Sequence, residues 1–351
     1  IGIHVWVPLV LISCFVALLF LRATFEETIS EDVDLVATTW TLQSVVENKS
    51  TEATSSKVTK DTTDDNADMS RAIMAISMGP EAAESSIVER FVWSLVFKGK
   101  YNGPIVLLTD APEGRYKALS NLAANLIIMQ PSSKHFSRQH ALEMARKRFK
   151  TYILEYLTLD ATLDEIRTVY YLDVDIVFAS PIQEFFVNIE AKYNIFNTSS
   201  TNVSHMWMFK GQKNWAFQGG QFVLDRSTSQ PCLDRWRWHI DRNPSITKDQ
   251  SLLNKMAMEQ STNSATCKII PMEREPNLIE FPGENYIEEL GESNKKHGPT
   301  GHKYAPLVHI RNTFNGINKR ISEEIYSHFV QDVLGVPTEE DEFGIMTKIN
   351  F

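Results

Sequence analysis

From Arg71 onward the chain alternates short apolar runs with segments of helical period, and this alternation constrains its fold more than any other feature. Ala72–Met78, Ile105–Leu108, Leu126–Met129 and Val169–Leu172 each read as a strand. Between them, Ala82–Phe97 carries Ile87, Phe91, Leu95 and Val96 at helical spacing. Tyr116–Leu122 fits a short helix, and His140–Leu157 sets Leu142, Ala145, Phe149, Ile153 and Tyr156 on one stripe. Repeated strand–helix units predict an α/β fold, a mostly parallel sheet with helices on both faces. Beyond Phe186 the pattern loosens. Phe217–Leu224 reads as a strand, Cys232–Ile240 and Gln250–Met258 as helices, Leu307–Ile310 as a short strand and Ile321–Leu334 as a terminal helix.

In open sheets of this kind, ligands bind at the carboxyl ends of the strands. Ser77 and Gly79 close the first strand, Asp110 closes the second, and Asp173-Val174-Asp175 closes the fourth. These are the expected ligand-binding residues. Side chains two apart on a strand share a face, so Asp173 and Asp175 can present two hard oxygen ligands to Mg²⁺ or Mn²⁺. The triplet is informative only through its setting. Asp32-Val33-Asp34 repeats it in a polar, Thr-rich stretch with no strand before it, and reads as solvated charge.

The flanks differ from the alternating part. Ile1–Leu21 contains no Asp, Glu, Lys or Arg, and the run ends at Arg22. At about 1.5 Å per residue it matches the roughly 30 Å of a bilayer core, so residues 1–22 read as a membrane anchor. Residues 23–70 hold 3 basic and 11 acidic residues and no sustained apolar period, the composition of a flexible stalk. That segment carries most of the net charge of −9; residues 71–351, with 31 basic and 33 acidic, are nearly neutral. No basic stripe argues for nucleic-acid binding. Residues 71–336 are expected to form one domain, followed by a tail over 337–351. Asn48, Asn197 and Asn202 open Asn-x-Ser/Thr sequons, which agree with a lumenal location. Cys232 and Cys267, the two cysteines outside the anchor, permit one disulfide without requiring it.

Four pieces in order resemble the nucleotide-sugar glycosyltransferases of the GT-A (Rossmann-like) fold, and most nearly glycosyltransferase family 8, the glycogenin and galactinol-synthase group. Val169-Tyr-Tyr-Leu-Asp-Val-Asp-Ile-Val177, with Pro181-Ile-Gln-Glu-Phe185 after it, resembles the family's metal-binding strand. Phe217-Gln-Gly-Gly-Gln-Phe-Val-Leu224 looks like its sugar-contacting strand, Asp249-Gln250-Ser-Leu-Leu-Asn254 like its Asp-Gln box, and Leu307-Val-His309 like the strand that supplies a third metal ligand. The resemblance implies Asp173, Asp175 and His309 as ligands of Mn²⁺ or Mg²⁺, and Gly219 and Gly220 beside the sugar. It implies catalytic or sugar-contacting roles for Asp249 and Gln250, and Lys150 as the basic residue that faces the diphosphate. Arg146 shares a helix face with Lys150, while Lys147 and Arg148 read as plain surface. Two departures stand out. The family usually has Asn where Gln218 stands, and its Gly and Lys-Pro-Trp after the histidine are replaced by Ile310-Arg311-Asn312-Thr313, so Arg311 or Lys319 would have to replace the lysine.

The implied activity is transfer of a hexose or pentose from a nucleoside diphosphate sugar, of the UDP class, to a glycan, glycoprotein or glycolipid acceptor with retention of configuration. With the anchor, this describes a single-pass type II protein of the Golgi or ER membrane with its catalytic domain in the lumen. Two other classes compete. Asp173-Val-Asp-Ile-Val177 also fits the nucleophile strand of haloacid-dehalogenase-like phosphatases, although three strand–helix units precede it here. A membrane-tethered protein that binds sugar nucleotides without turnover is the third reading.

Overall fold

The structure is a computed structural model, which describes residues 70–80, 86–195, 203–211, 216–260, 267–275, 278–280 and 305–310. The expected anchor, stalk, terminal helix and tail lie outside these residues, as do the three sequons, Arg311 and Lys319. Among the described residues no helix is long and apolar enough to cross a membrane.

Seven strands form the main sheet: β1 (Arg71–Ser77), β2 (Ile105–Thr109), β3 (Leu126–Met129), β4 (Thr168–Leu172), β6 (Ser204–Lys210), β7 (Phe217–Asp225) and β8 (Cys267–Met272), in the order β3-β2-β1-β4-β7-β6-β8. Only β7 runs against the rest, pairing antiparallel with β4 and β6. Its amino-terminal half therefore lies at the edge where β4 ends. A smaller sheet, β5 (Ile176–Phe178), β10 (Leu307–His309) and β9 (Ile279–Glu280), stands beside that edge, with β10 antiparallel to β5 and His309 opposite Ile176.

The period of two along the central strands divides the core. Ile73 and Ala75 of β1 and Tyr170 and Leu172 of β4 pack with α1 (Ile87–Phe97) and α4 (Gln183–Tyr193). Ala72 and Met74, with Val169 and Tyr171, pack on the other face with α3 (Ile153–Leu157), α5 (Gln230–Asp241) and α6 (Asp249–Gln260). Helices thus cover both faces of a mostly parallel sheet, as the alternation predicts. One charged pair is sealed inside: Arg71, the first residue of β1, donates twice to Glu190 of α4 at 2.6 Å, and Tyr170 adds a 2.7 Å bond to the same carboxylate.

Two local expectations change. The single helix expected over His140–Leu157 is broken into α2 (Leu142–Lys147), a 3₁₀ segment at Arg148–Tyr152, and α3. The tighter turn lies where Lys150 is drawn into ionic contacts at the sheet edge. The helix expected over Tyr116–Leu122 is a 3₁₀ turn, Lys117–Asn121. Strands β5, β6, β8 and β9 and helix α4 are additions to the sequence reading. Cys232 of α5 and Cys267 of β8 form a disulfide, with Cα atoms 5.0 Å apart.

Candidate functional site

The end of β4 and the reversed start of β7 meet backbone to backbone. Asp173 donates its N–H to Gly220 O at 2.9 Å, which continues the ladder one step past the Leu172–Gln221 pair. A β-carbon on Gly220 would overlap Asp173 Oδ2, and one on Gly219 would come within 2.6 Å of Asp249 Oδ2. Both glycines are therefore required by close approach of carboxylates from two other elements.

Lys150 joins these pieces. It is 7% exposed, and its Nζ donates to Gly219 O at 2.9 Å. It stands 3.1 Å from Asp173 Oδ1 and 3.6 Å from Asp249 Oδ2. Burial alone would lower its pKa, but Asp173 and Asp249 outweigh it, so the ammonium is held charged above its ordinary range. Burial pushes the Asp173 carboxyl up, and Lys150 opposes this. Tyr171 supports the pair from the same face of β4, its hydroxyl donating to Asp173 Oδ1 at 2.6 Å and its ring lying 5.0 Å from Lys150 Nζ. Asp249, the first residue of α6 and 2% exposed, uses its other oxygen to accept the Gln250 N–H at 3.0 Å. One carboxylate thus serves both the helix start and the site.

Asp175 and His309 form the second half. Pairing of β10 with β5 carries His309 to the edge, and Ile310 N–H bonds Asp175 O at 2.9 Å. His309 Nε2 lies 3.2 Å from Asp175 Oδ1. That oxygen is buried and, among the described residues, has no hydrogen-bond donor of good geometry. Neighbouring ligands on an octahedral ion with bonds of about 2.1 Å sit about 3 Å apart, so the spacing suits a divalent cation, and a carboxylate with an imidazole suits Mn²⁺. Asp173, expected as a ligand with Asp175 and His309, turns its Oδ1 to Lys150 and Tyr171. Among the described residues no three His, Cys, Asp or Glu side chains stand close enough to hold an ion as they are.

A cavity of about 220 Å³ opens here, lined by Ile76 and Met78 from the end of β1, by Arg146, Lys147 and Lys150, and by Asp173 and Asp175. Ser77, expected among the binding residues, is buried at 2% exposure while its neighbours face the cavity, as alternation along the strand requires. Gly79, at φ +97°, lies against the Arg146 guanidinium, and its N–H bonds Asp110 Oδ1 at 2.7 Å, tying together the ends of β1 and β2. Gln250 follows Asp249 in α6 and is half-buried. Lys147 departs from the surface reading: it lines the cavity, pairs with Glu143 at 2.6 Å and reaches to 3.9 Å from Asp249 Oδ1. Arg148 is an ordinary pair with Asp241.

Sequence reasoning passed over Tyr171 and Gln221. Strand period alone places Tyr171 on the side of Asp173, and a glutamine inside an apolar strand is a visible anomaly.

No family model matches the sequence, and no curated protein matches it. Among solved structures the chain is similar to mouse xyloside xylosyltransferase 1 in its apo form, at 9% identity over 70% of this chain and 99% of that one, with a TM-score of 0.42. It is also similar to galactosyltransferase LgtC in complex with donor and acceptor sugar analogues, at 11% identity over 76% of this chain and 98% of that one, with a TM-score of 0.48.

Proposed function

We propose that the chain is a glycosyltransferase that moves a hexose or pentose from a UDP-type nucleotide sugar to an acceptor hydroxyl, with Mn²⁺ or Mg²⁺ and with retention of configuration. One observation carries the reading. Lys150, Asp173, Asp175, Asp249 and His309, scattered along the chain, converge at the carboxyl edge of the sheet beside an open cavity.

Breaking a sugar–diphosphate bond leaves negative charge on the departing group. Asp175 and His309 would hold the cation, with Asp173 released from Lys150 to join them, and the bound ion would supply Lewis-acid stabilisation of that charge. Lys150, kept charged by two carboxylates, supplies a fixed positive charge at the cavity wall. Arg146 adds a second cation over Gly79. Gly219 and Gly220 let the Asp249 and Asp173 carboxylates close onto β7 beside the cavity, which sets these two groups where a sugar would react. Acceptors would be glycans, glycoproteins or glycolipids.

The same proposal places the chain as a type II protein of the Golgi or ER membrane, with its catalytic domain lumenal. Support comes from the uncharged run Ile1–Leu21, the sequons, and the Cys232–Cys267 disulfide, a bond that persists in oxidising compartments.

A panel of nucleotide sugars assayed for released nucleoside diphosphate, with and without Mn²⁺, tests the function. Turnover of one donor, dependent on the metal and lost in Asp173→Asn, is the expected result. No release from any donor, with nucleotide sugar still bound, would favour the non-catalytic reading.

A further inference from the structure

Gln221 is a polar residue where the fold asks for an apolar one. It is 0% exposed, and Phe222, Val223 and Leu224 follow it into the core. Its amide points at the site, with Nε2 2.8 Å from His309 Nδ1. Among the described residues its Oε1 meets no hydrogen-bond partner, and neither does Asp175 Oδ1 across the imidazole. A buried polar atom left without a partner is destabilising, so two of them flanking one ring need a reason.

We infer that Gln221 is a positioning residue that holds His309 in the tautomer able to ligate a divalent cation together with Asp175. This rests on the metal reading above. An imidazole ligates through a bare nitrogen. Nε2 is the nitrogen that faces Asp175, so the ring proton must sit on Nδ1 and needs an acceptor there. A glutamine amide serves both conditions. It donates its N–H to a bare Nδ1, and after half a turn it accepts from a protonated Nδ1 through its carbonyl. A carboxylate at this position could do only the second, and a hydrocarbon neither. With the proton on Nδ1, two lone pairs 3.2 Å apart face each other across the Asp175–His309 gap, an arrangement that a cation relieves.

Mn²⁺ titrated into the purified protein, with free ion followed by its electron paramagnetic resonance signal, measures the effect without any activity assay. Gln221→Met keeps the length of the side chain and removes both functions, and should bind Mn²⁺ about 10- to 100-fold more weakly. Gln221→Glu keeps the acceptor and should bind at least as tightly as the unaltered protein. Gln221→Leu replaces Gln221→Met if the latter melts early. Unchanged affinity in the hydrocarbon variant overturns the inference. Equal losses in Gln221→Met and Gln221→Glu overturn it too, since packing alone would then explain both. Unchanged affinity in Asp175→Asn would instead overturn the metal reading itself, which keeps the two failures apart.

Discussion

Gly219 lies flush against Asp249, close enough that a β-carbon would come within 2.6 Å of Oδ2. The contact joins β7 to the start of α6 and aims the carboxylate back at Lys150. In an ordinary strand position, Gly→Ala is neutral or stabilising. Here the added methyl must push Asp249 away from its place.

Gly219→Ala should therefore lower kcat/KM for the proposed sugar transfer by about 100-fold, the cost of moving a reacting or positioning group by about an ångström. Overpacking should cost about 1–3 kcal/mol of stability, leaving the variant folded. Kinetics paired with urea denaturation reads both. Near-normal kcat/KM in a folded variant would detach Asp249 from the reaction.

Lys150→Met leaves Asp173 and Asp249 facing each other without their shared cation. Removing one partner of a buried ionic cluster costs about 3–5 kcal/mol. Asp249→Asn alone should cost less, and added to Lys150→Met it should return part of the loss, because one of the stranded charges is gone. A double-mutant cycle measures that coupling. Strict additivity would show that the two residues do not act as a unit.

The parallel half of the sheet was legible because β1 to β4 each carry an unbroken apolar run between turn signals. Strands β6 and β8 were not. Ser204–Lys210 begins with Ser-His and ends with Lys, and Cys267–Met272 contains Lys268 and Pro271, so neither shows a clean period. The 3₁₀ break inside His140–Leu157 leaves no mark in the apolar stripe: Ala145, Phe149, Ile153 and Tyr156 are buried across it, and only Leu142, at the start, is exposed. At the site, Asp173, Asp175 and His309 were legible as residues but not in their present bonds. No sequence pattern states that Asp173 pairs with Lys150 and Tyr171 while Asp175 pairs with His309, since those choices are made by strands meeting across the chain. Gln221 was readable in principle, as a polar side chain in the middle of Phe217–Leu224.

The Cys232–Cys267 bond ties α5 to β8 and closes a loop of sequence separation 35. On the chain-entropy account such a loop contributes about 3–4 kcal/mol by restricting the unfolded chain. Cys232→Ala with Cys267→Ala should lower stability by about that amount while leaving the proposed transfer activity intact at low temperature. Denaturant midpoints with and without a reductant, compared with the double variant, test it. Equal midpoints in all three would mean that the bond does not form in the protein.

Among the described residues, three buried histidines oppose mild acid in the folded state. Burial holds His135, His205 and His239 below their ordinary value, and in His135 and His239 a neighbouring glutamate opposes burial without cancelling it. The unfolded chain takes up protons at these positions near pH 6.5, whereas the folded protein resists until lower pH. Their contribution is therefore complete above about pH 6.5 and is lost as pH falls through their lowered folded values, by up to about 1.4 kcal/mol per unit for each histidine. Asp173 works in the opposite sense: burial raises its carboxyl, so the folded state binds that proton more readily as pH falls. Comparison with a histidine variant separates the two. His205→Gln should lose less stability between pH 7 and pH 5 than the unaltered protein, as read from urea midpoints at each pH. If both proteins fall by the same amount, His205 is not held neutral by the fold.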